Sequence, residues 1–159
     1  MSQSLFIDRK NPKEKANLIK MLTDRMIIAM KGLKAPLIMF PEGTVSNGNQ
    51  LLTFKKGAFK ALLPVKILMG KYESNYLKPY HNAMLIPLDW FLLMCSPPCK
   101  LTVFEFEGNY DPSYLNLDPN DENSWKIYAE KVREIMSKCL EVPKLEKGFR
   151  DVREFQGIY

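Results

Sequence analysis

Residues Pro36 to Gly48 read PLIMFPEGTVSNG, an apolar run broken by a second proline. Pro41 has no N–H and a fixed φ, so PLIMF is expected to be a buried strand ending at Phe40. Glu42, Gly43 and Thr44 follow without a spacer. Gly43 lets a ligand approach the backbone, and its N–H can point at an anion. Glu42 can accept hydrogen bonds from hydroxyls or N–H groups, and Thr44 supplies a hydroxyl. Ser46, Asn47 and Gly48 are turn formers. The chain must therefore carry a strand straight into a polar corner.

Around this break, strand-like and helix-like segments alternate. Ser4 to Ile7 is a short apolar run. Asn11 can cap a helix with Pro12 at its first position. Ile19, Leu22, Met26 and Ala29 then share one face, and Gly32 ends the helix. Gly57 to Leu62 reads as a short helix, Pro64 to Tyr72 as a strand and Leu101 to Gly108 as another. Between those strands, Ala83 to Cys95 is helical in its second half. It suits either a buried core or a membrane interface. Asn109 to Glu122 is rich in Asp, Asn and Pro and reads as a loop. Trp125, Tyr128, Ala129, Val132, Ile135 and Cys139 mark an amphipathic helix. Strands separated by helices imply an α/β layer fold with a mostly parallel sheet flanked by helices. The expected domain covers residues 1–143, followed by a loosely held polar tail over 144–159.

With 159 residues, 46% hydrophobic and 26% charged, the chain suits one globular domain. A formal net charge of +5 fits an anionic partner such as a phosphate ester, a lipid headgroup or nucleic acid. The lysines are dispersed without interleaved aromatics, which argues against nucleic acid. Cys95, Cys99 and Cys139 lack CxxC spacing and His81 is the sole histidine, so no zinc site is expected. The first residues, MSQSLFIDRKNPKEK, put charges where a signal peptide needs an apolar core. No run reaches the roughly 20 apolar residues of a transmembrane helix.

In an open α/β sheet, ligands sit beyond the carboxyl ends of strands. The FPEGT loop and Arg9 both follow apolar runs. Arg9 offers a planar fork that matches phosphate oxygens. Lys55 and Lys56 precede Gly57 at a helix start, where cations and unpaired N–H groups favour an anion. Each feature also has a plain structural reading: an ordinary turn, a solvated lysine pair, an Asp8–Arg9 ion pair.

The combination is more specific than its parts. FPEGTVSNG, the F-K-x-G-A-F continuation at Phe54, Lys55, Gly57, Ala58 and Phe59, and the Pro64–Val65 start of the next block resemble the glycerophospholipid acyltransferase family. The branch resembled is that of the lysophosphatidylcholine acyltransferases. LFIDR, Leu5 to Arg9, is similar to the family's arginine block. The helix IYAEKVREIMSKCLEVP follows that branch's Y-A-x-x-V-R-x-x-M pattern. The resemblance runs from about Leu5 to about Pro143 and implies part of a glycerolipid acyltransferase fold. It implies an acceptor site in which Arg9 contacts phosphate, Glu42, Gly43 and Thr44 line the glycerol-phosphate portion, and Lys55 completes the anion site. The acceptor would be a lysophospholipid or lysophosphatidate. The acyl donor would be acyl-CoA, a co-substrate, with no metal or redox cofactor. Membrane association is implied too, in the endoplasmic reticulum, with the anchoring segment outside this chain.

The family's catalytic H-x-x-x-x-D block, which precedes the arginine block, is absent from these residues. Its histidine is a general base oriented by the aspartate, a division that suits a group titrating near neutrality. His81 has Ile86 where that spacing needs aspartate. No catalytic residue is therefore assigned. Two expectations stand. The chain is the acceptor-binding part of a longer acyltransferase, or it is an inactive acyltransferase-like binding or assembly subunit with partner chains.

Overall fold

The structure, a computed structural model, describes residues 12–44, 48–74 and 86–146. The apolar run at Ser4–Ile7, Asp8, Arg9, the Asn11 cap, Ser46, Asn47 and His81 lie outside the described residues.

Helix α1 spans Pro12–Met30, starting at the expected proline. Its end is a Schellman turn. Gly32 adopts φ 72°, its N–H donates to Ala29 O at 2.9 Å, and Leu33 N–H donates to Ile28 O at 3.3 Å. Leu22 is buried, with Ile19, Met26 and Ala29 half-buried beside it.

Pro36–Phe40 departs from expectation. It belongs to no strand, and Ile38 and Phe40 are 78% and 85% exposed, while Leu37 and Met39 are half-buried. An apolar run signals a capacity for burial, and these two side chains meet no covering layer among the described residues. The short helix expected from Gly57 is a one-turn 3-10 helix, Lys56–Ala58.

Strands β1 (Leu68–Glu73) and β2 (Lys100–Glu105) form an antiparallel pair, with Leu68 opposite Glu105 and Glu73 opposite Lys100. The ribbon is rooted by a Val65–Tyr110 bridge, whose N–H···O bonds measure 3.0 and 2.8 Å. Helices and sheet are both present, but a mostly parallel sheet is not what the described residues form. Parallel geometry occurs there only in a single bridge between Leu51 and Lys144. The reason is the connection between β1 and β2. It contains helix α2 (Ile86–Cys95), as a parallel crossover would, yet it returns the chain in the opposite sense.

Helix α3 (Ser124–Leu140) lays the expected stripe on the core. Tyr128, Ala129 and Val132 are buried and Trp125 and Ile135 half-buried, whereas Cys139 is exposed. Around them gather Phe54, Phe59, Ile67 and Met69. Phe59 meets Tyr128 edge-on at 5.4 Å between centroids and stacks on Phe54 at 5.9 Å. Burying a phenylalanine this fully stabilises by about 1.5–3 kcal/mol. The Tyr128 hydroxyl donates to Leu63 O and Tyr110 O, each at 3.0 Å, so α3 holds both flanks of the ribbon root. Beyond α3, Pro143 to Leu145 run against Leu51. Leu51 N–H donates to Pro143 O at 3.0 Å and Leu145 N–H to Leu51 O at 2.9 Å.

Candidate functional site

The FPEGT corner is a tight turn. Gly43 N–H donates to Phe40 O at 3.1 Å, and Gly43 takes φ 69°, a left-handed value that glycine adopts without strain. The segment from Leu52 to Lys55 closes over it. Lys55 N–H donates to Pro41 O at 2.7 Å, and Leu52 N–H donates to the Glu42 carboxylate (Oε1) at 3.1 Å. A Cβ placed on Gly43 would stand 3.3 Å from Lys55 Cγ and 3.7 Å from Cε. The lysine stem therefore lies along the glycine.

Of the residues expected to act together, Glu42, Gly43 and Lys55 are brought together, and Thr44 follows in the chain, half-buried. Gly43 and Lys55 are exposed and Glu42 is half-buried. Arg9, the expected phosphate fork, is outside the described residues, as is its relation to Gly43. Gly57 packs behind the corner: a Cβ there would meet Leu22 Cδ1 and Met39 Cε at 3.5 Å. The site thus rests on α1 from one side and on the 3-10 turn from another. The Gly43 N–H, expected to point at an anion, is instead taken by Phe40 O, so what the described part of the corner offers an anion is the exposed Lys55 side chain over a glycine with no Cβ.

Behind the corner stands Arg133, to which sequence reading gave no role. It is 1% exposed. Nη2 donates to Leu51 O at 3.1 Å and to Leu145 O at 2.6 Å, while Nη1 meets Glu130 Oε2 at 3.0 Å and Glu146 Oε1 at 3.1 Å. Burial works to raise the Glu130 pKa, but hydrogen bonds from Lys144 and Arg133 prevail and hold it below its usual 4.5. The signal for Arg133 was present in the helix pattern. It falls four residues after Ala129 and three before Met136, on the apolar stripe rather than the solvated face.

Among the described residues no group of His, Cys, Asp or Glu could hold a metal ion, and no helix is long and apolar enough to cross a membrane.

Comparison with known proteins gives this corner its context. The Acyltransferase family model matches residues 1–70. The human lysophospholipid acyltransferase LPCAT4 is 30% identical over 152 residues, which cover 93% of this chain and 27% of that protein. The lysophosphatidylcholine acyltransferase of Drosophila melanogaster is 29% identical over 158 residues, covering 95% of this chain and 27% of the relative. The lysophospholipid acyltransferase LPEAT1 of Arabidopsis thaliana is 32% identical over 137 residues, covering 86% and 33%. No solved structure matches the chain. The chain belongs to the glycerophospholipid acyltransferase family. Within that family, its similarity supports the lysophosphatidylcholine acyltransferase branch. It spans 27% of the length of the human LPCAT4 relative and 33% of the plant one.

Proposed function

We propose that the chain supplies the acceptor-phosphate site of an enzyme that moves an acyl group from acyl-CoA to a lysophospholipid or lysophosphatidate hydroxyl. The observation that carries this reading is the Lys55 stem lying along Gly43 in the FPEGT corner. A phosphate ester packed against Gly43, where no Cβ intervenes, would have the Lys55 ammonium within reach, and Arg9 would add a bidentate contact. Glu42 fixes the corner through Leu52 and directs its carboxylate chemistry at the glycerol portion, with Thr44 beside it.

In the reaction, the acceptor hydroxyl attacks the thioester carbonyl. The new ester bond forms, the C–S bond breaks, and the hydroxyl proton passes to a general base. That base is the histidine of the family's H-x-x-x-x-D block, which these residues do not contain. The role of this chain is to hold the acceptor in place, which by itself lowers the barrier through orientation.

A lipid surface is the second proposed partner, at the endoplasmic reticulum. Helix α2 exposes Leu88 by 43%, Trp90 by 67%, Phe91 by 62% and Met94 by 83%. Large apolar side chains with a tryptophan on a helix of ten residues suit the headgroup boundary rather than a span.

Glycerol 3-phosphate titrated into the 159-residue chain tests the acceptor reading. Amide shifts at Gly43 and Lys55 that saturate together are expected, and a Lys55→Met variant should lose them. Shifts confined to other surfaces, or none at millimolar ligand, would overturn it. Binding to phosphatidylcholine vesicles that survives Trp90→Ser and Met94→Ser unchanged would remove α2 from the membrane assignment.

A further inference from the structure

We propose that Arg133 is a positioning residue for the acceptor corner, acting on Glu42 through the single peptide unit between Leu51 and Leu52. This rests on the reading of that corner as the acceptor site.

Both ends of that peptide are held by charged side chains. Its carbonyl, on Leu51, accepts from Arg133 Nη2 at 3.1 Å beside the backbone N–H of Leu145 at 2.9 Å, and its N–H, on Leu52, donates to Glu42 Oε1 at 3.1 Å. A cation at the oxygen and a carboxylate at the hydrogen favour the same polarised form of the amide. Each bond therefore strengthens the other. Leu51 and Leu52 are 8% and 5% exposed and Arg133 is 1% exposed, so little water intervenes to screen the effect. Because the peptide is planar, fixing its oxygen fixes the direction of its N–H, and with it the place where the Glu42 carboxylate settles.

The guanidinium is itself fixed in rotation. Leu145 O, Glu130 and Glu146 take its remaining Nη contacts, so the fork is aimed by α3 and by the segment after it. Its Nε is buried without a hydrogen-bond partner among the described residues, a cost that a side chain present only for stability would avoid. An apolar residue of similar volume often stabilises a core as well as a buried ion cluster does. It could not place a positive charge at the Leu51 carbonyl, which would then keep, among the described residues, only the Leu145 N–H.

Four variants of the 159-residue chain test this: Arg133→Met, Arg133→Lys, Glu42→Gln and the double variant carrying Arg133→Met with Glu42→Gln. The probes are the Leu52 amide, followed by hydrogen exchange and proton shift, and affinity for glycerol 3-phosphate. In Arg133→Met the Leu52 amide should exchange about tenfold faster or more and move upfield, and affinity should fall by about tenfold. Glu42→Gln should perturb the same amide. The double variant should lose no more affinity than the worse single one, because both act through one peptide. Arg133→Lys should recover part of both readouts. Independent, additive losses would overturn the proposal, as would a Leu52 amide indifferent to Arg133. If Arg133→Met fails to fold, Arg133→Lys decides alone by the Leu52 amide and by affinity. If the unaltered chain does not bind glycerol 3-phosphate, the acceptor reading falls. The positioning of Glu42 is then still decided by whether Leu52 responds to Arg133→Lys.

Discussion

Gly43 and Lys55 occupy adjoining space: the position a Cβ would take on the first lies 3.3 Å from Cγ of the second. That φ is 69° adds a backbone penalty to the steric one. Gly43→Ala is expected to cost about 1–2 kcal/mol of stability and to push the lysine stem off the corner. A lowered urea midpoint with an unchanged slope, together with lost glycerol 3-phosphate shifts at Lys55, is the expected pair of results.

Tyr128 is fully buried, and its hydroxyl serves two carbonyls at the base of the ribbon. Burial dominates its ionisation and pushes the phenol well above its ordinary value, so it stays neutral and donating throughout the working range. Tyr128→Phe keeps the ring contacts and removes the donor. A loss of about 1–3 kcal/mol is expected in chemical denaturation, with faster exchange at the Val65 and Tyr110 amides.

Acid should loosen the clamp behind the corner. The folded-state pKa of Glu130 is lowered from 4.5, so the stability this carboxylate brings is present above pH 4.5 and lost as pH falls through the depressed value. Its side chain is 47% exposed, so the effect is modest. Urea midpoints measured from pH 6 down to pH about 3 should fall less steeply in Glu130→Gln than in the unaltered chain. Parallel curves would remove Glu130 from the clamp.

Helix α3 ends with Glu141 at φ 56°, where its N–H and that of Val142 both turn back to Ser137 O. A left-handed residue with a Cβ is strained there. Glu141→Gly should raise stability by about 0.5–1 kcal/mol, the strain relieved less the extra entropy of an unfolded glycine. Thermal denaturation would show a rise in Tm.

How much of this was legible in sequence depended on whether the governing forces were local. Pro12, Gly32 and the spacing of Ile19, Leu22 and Met26 marked α1 because capping and periodicity act within a few residues. The stripe on α3 was legible for the same reason. The direction of the sheet was not, since alternating segment types look alike whether a helix-containing connection crosses over or returns. The apolar PLIMF run predicts burial, yet Ile38 and Phe40 face outward. At the corner, residue types revealed what Glu42, Gly43 and Lys55 could do. They did not reveal that one Glu42 oxygen accepts from the N–H of Leu52, ten positions on. Arg133 belongs to a legible helix pattern, but two of its four partners among the described residues are the backbone carbonyls of Leu51 and Leu145, which no pattern displays.

The Leu51 carbonyl takes its buried side-chain hydrogen bond from a residue 82 positions later, and its backbone one, from Leu145, later still. On a ribosome, FPEGT therefore emerges long before the side chain that braces it. The corner can reach its final shape only after most of the chain has been made, and such a late, long-range closure is slow to form. A product ending ahead of Arg133 would display every letter of the motif and lack the brace behind it.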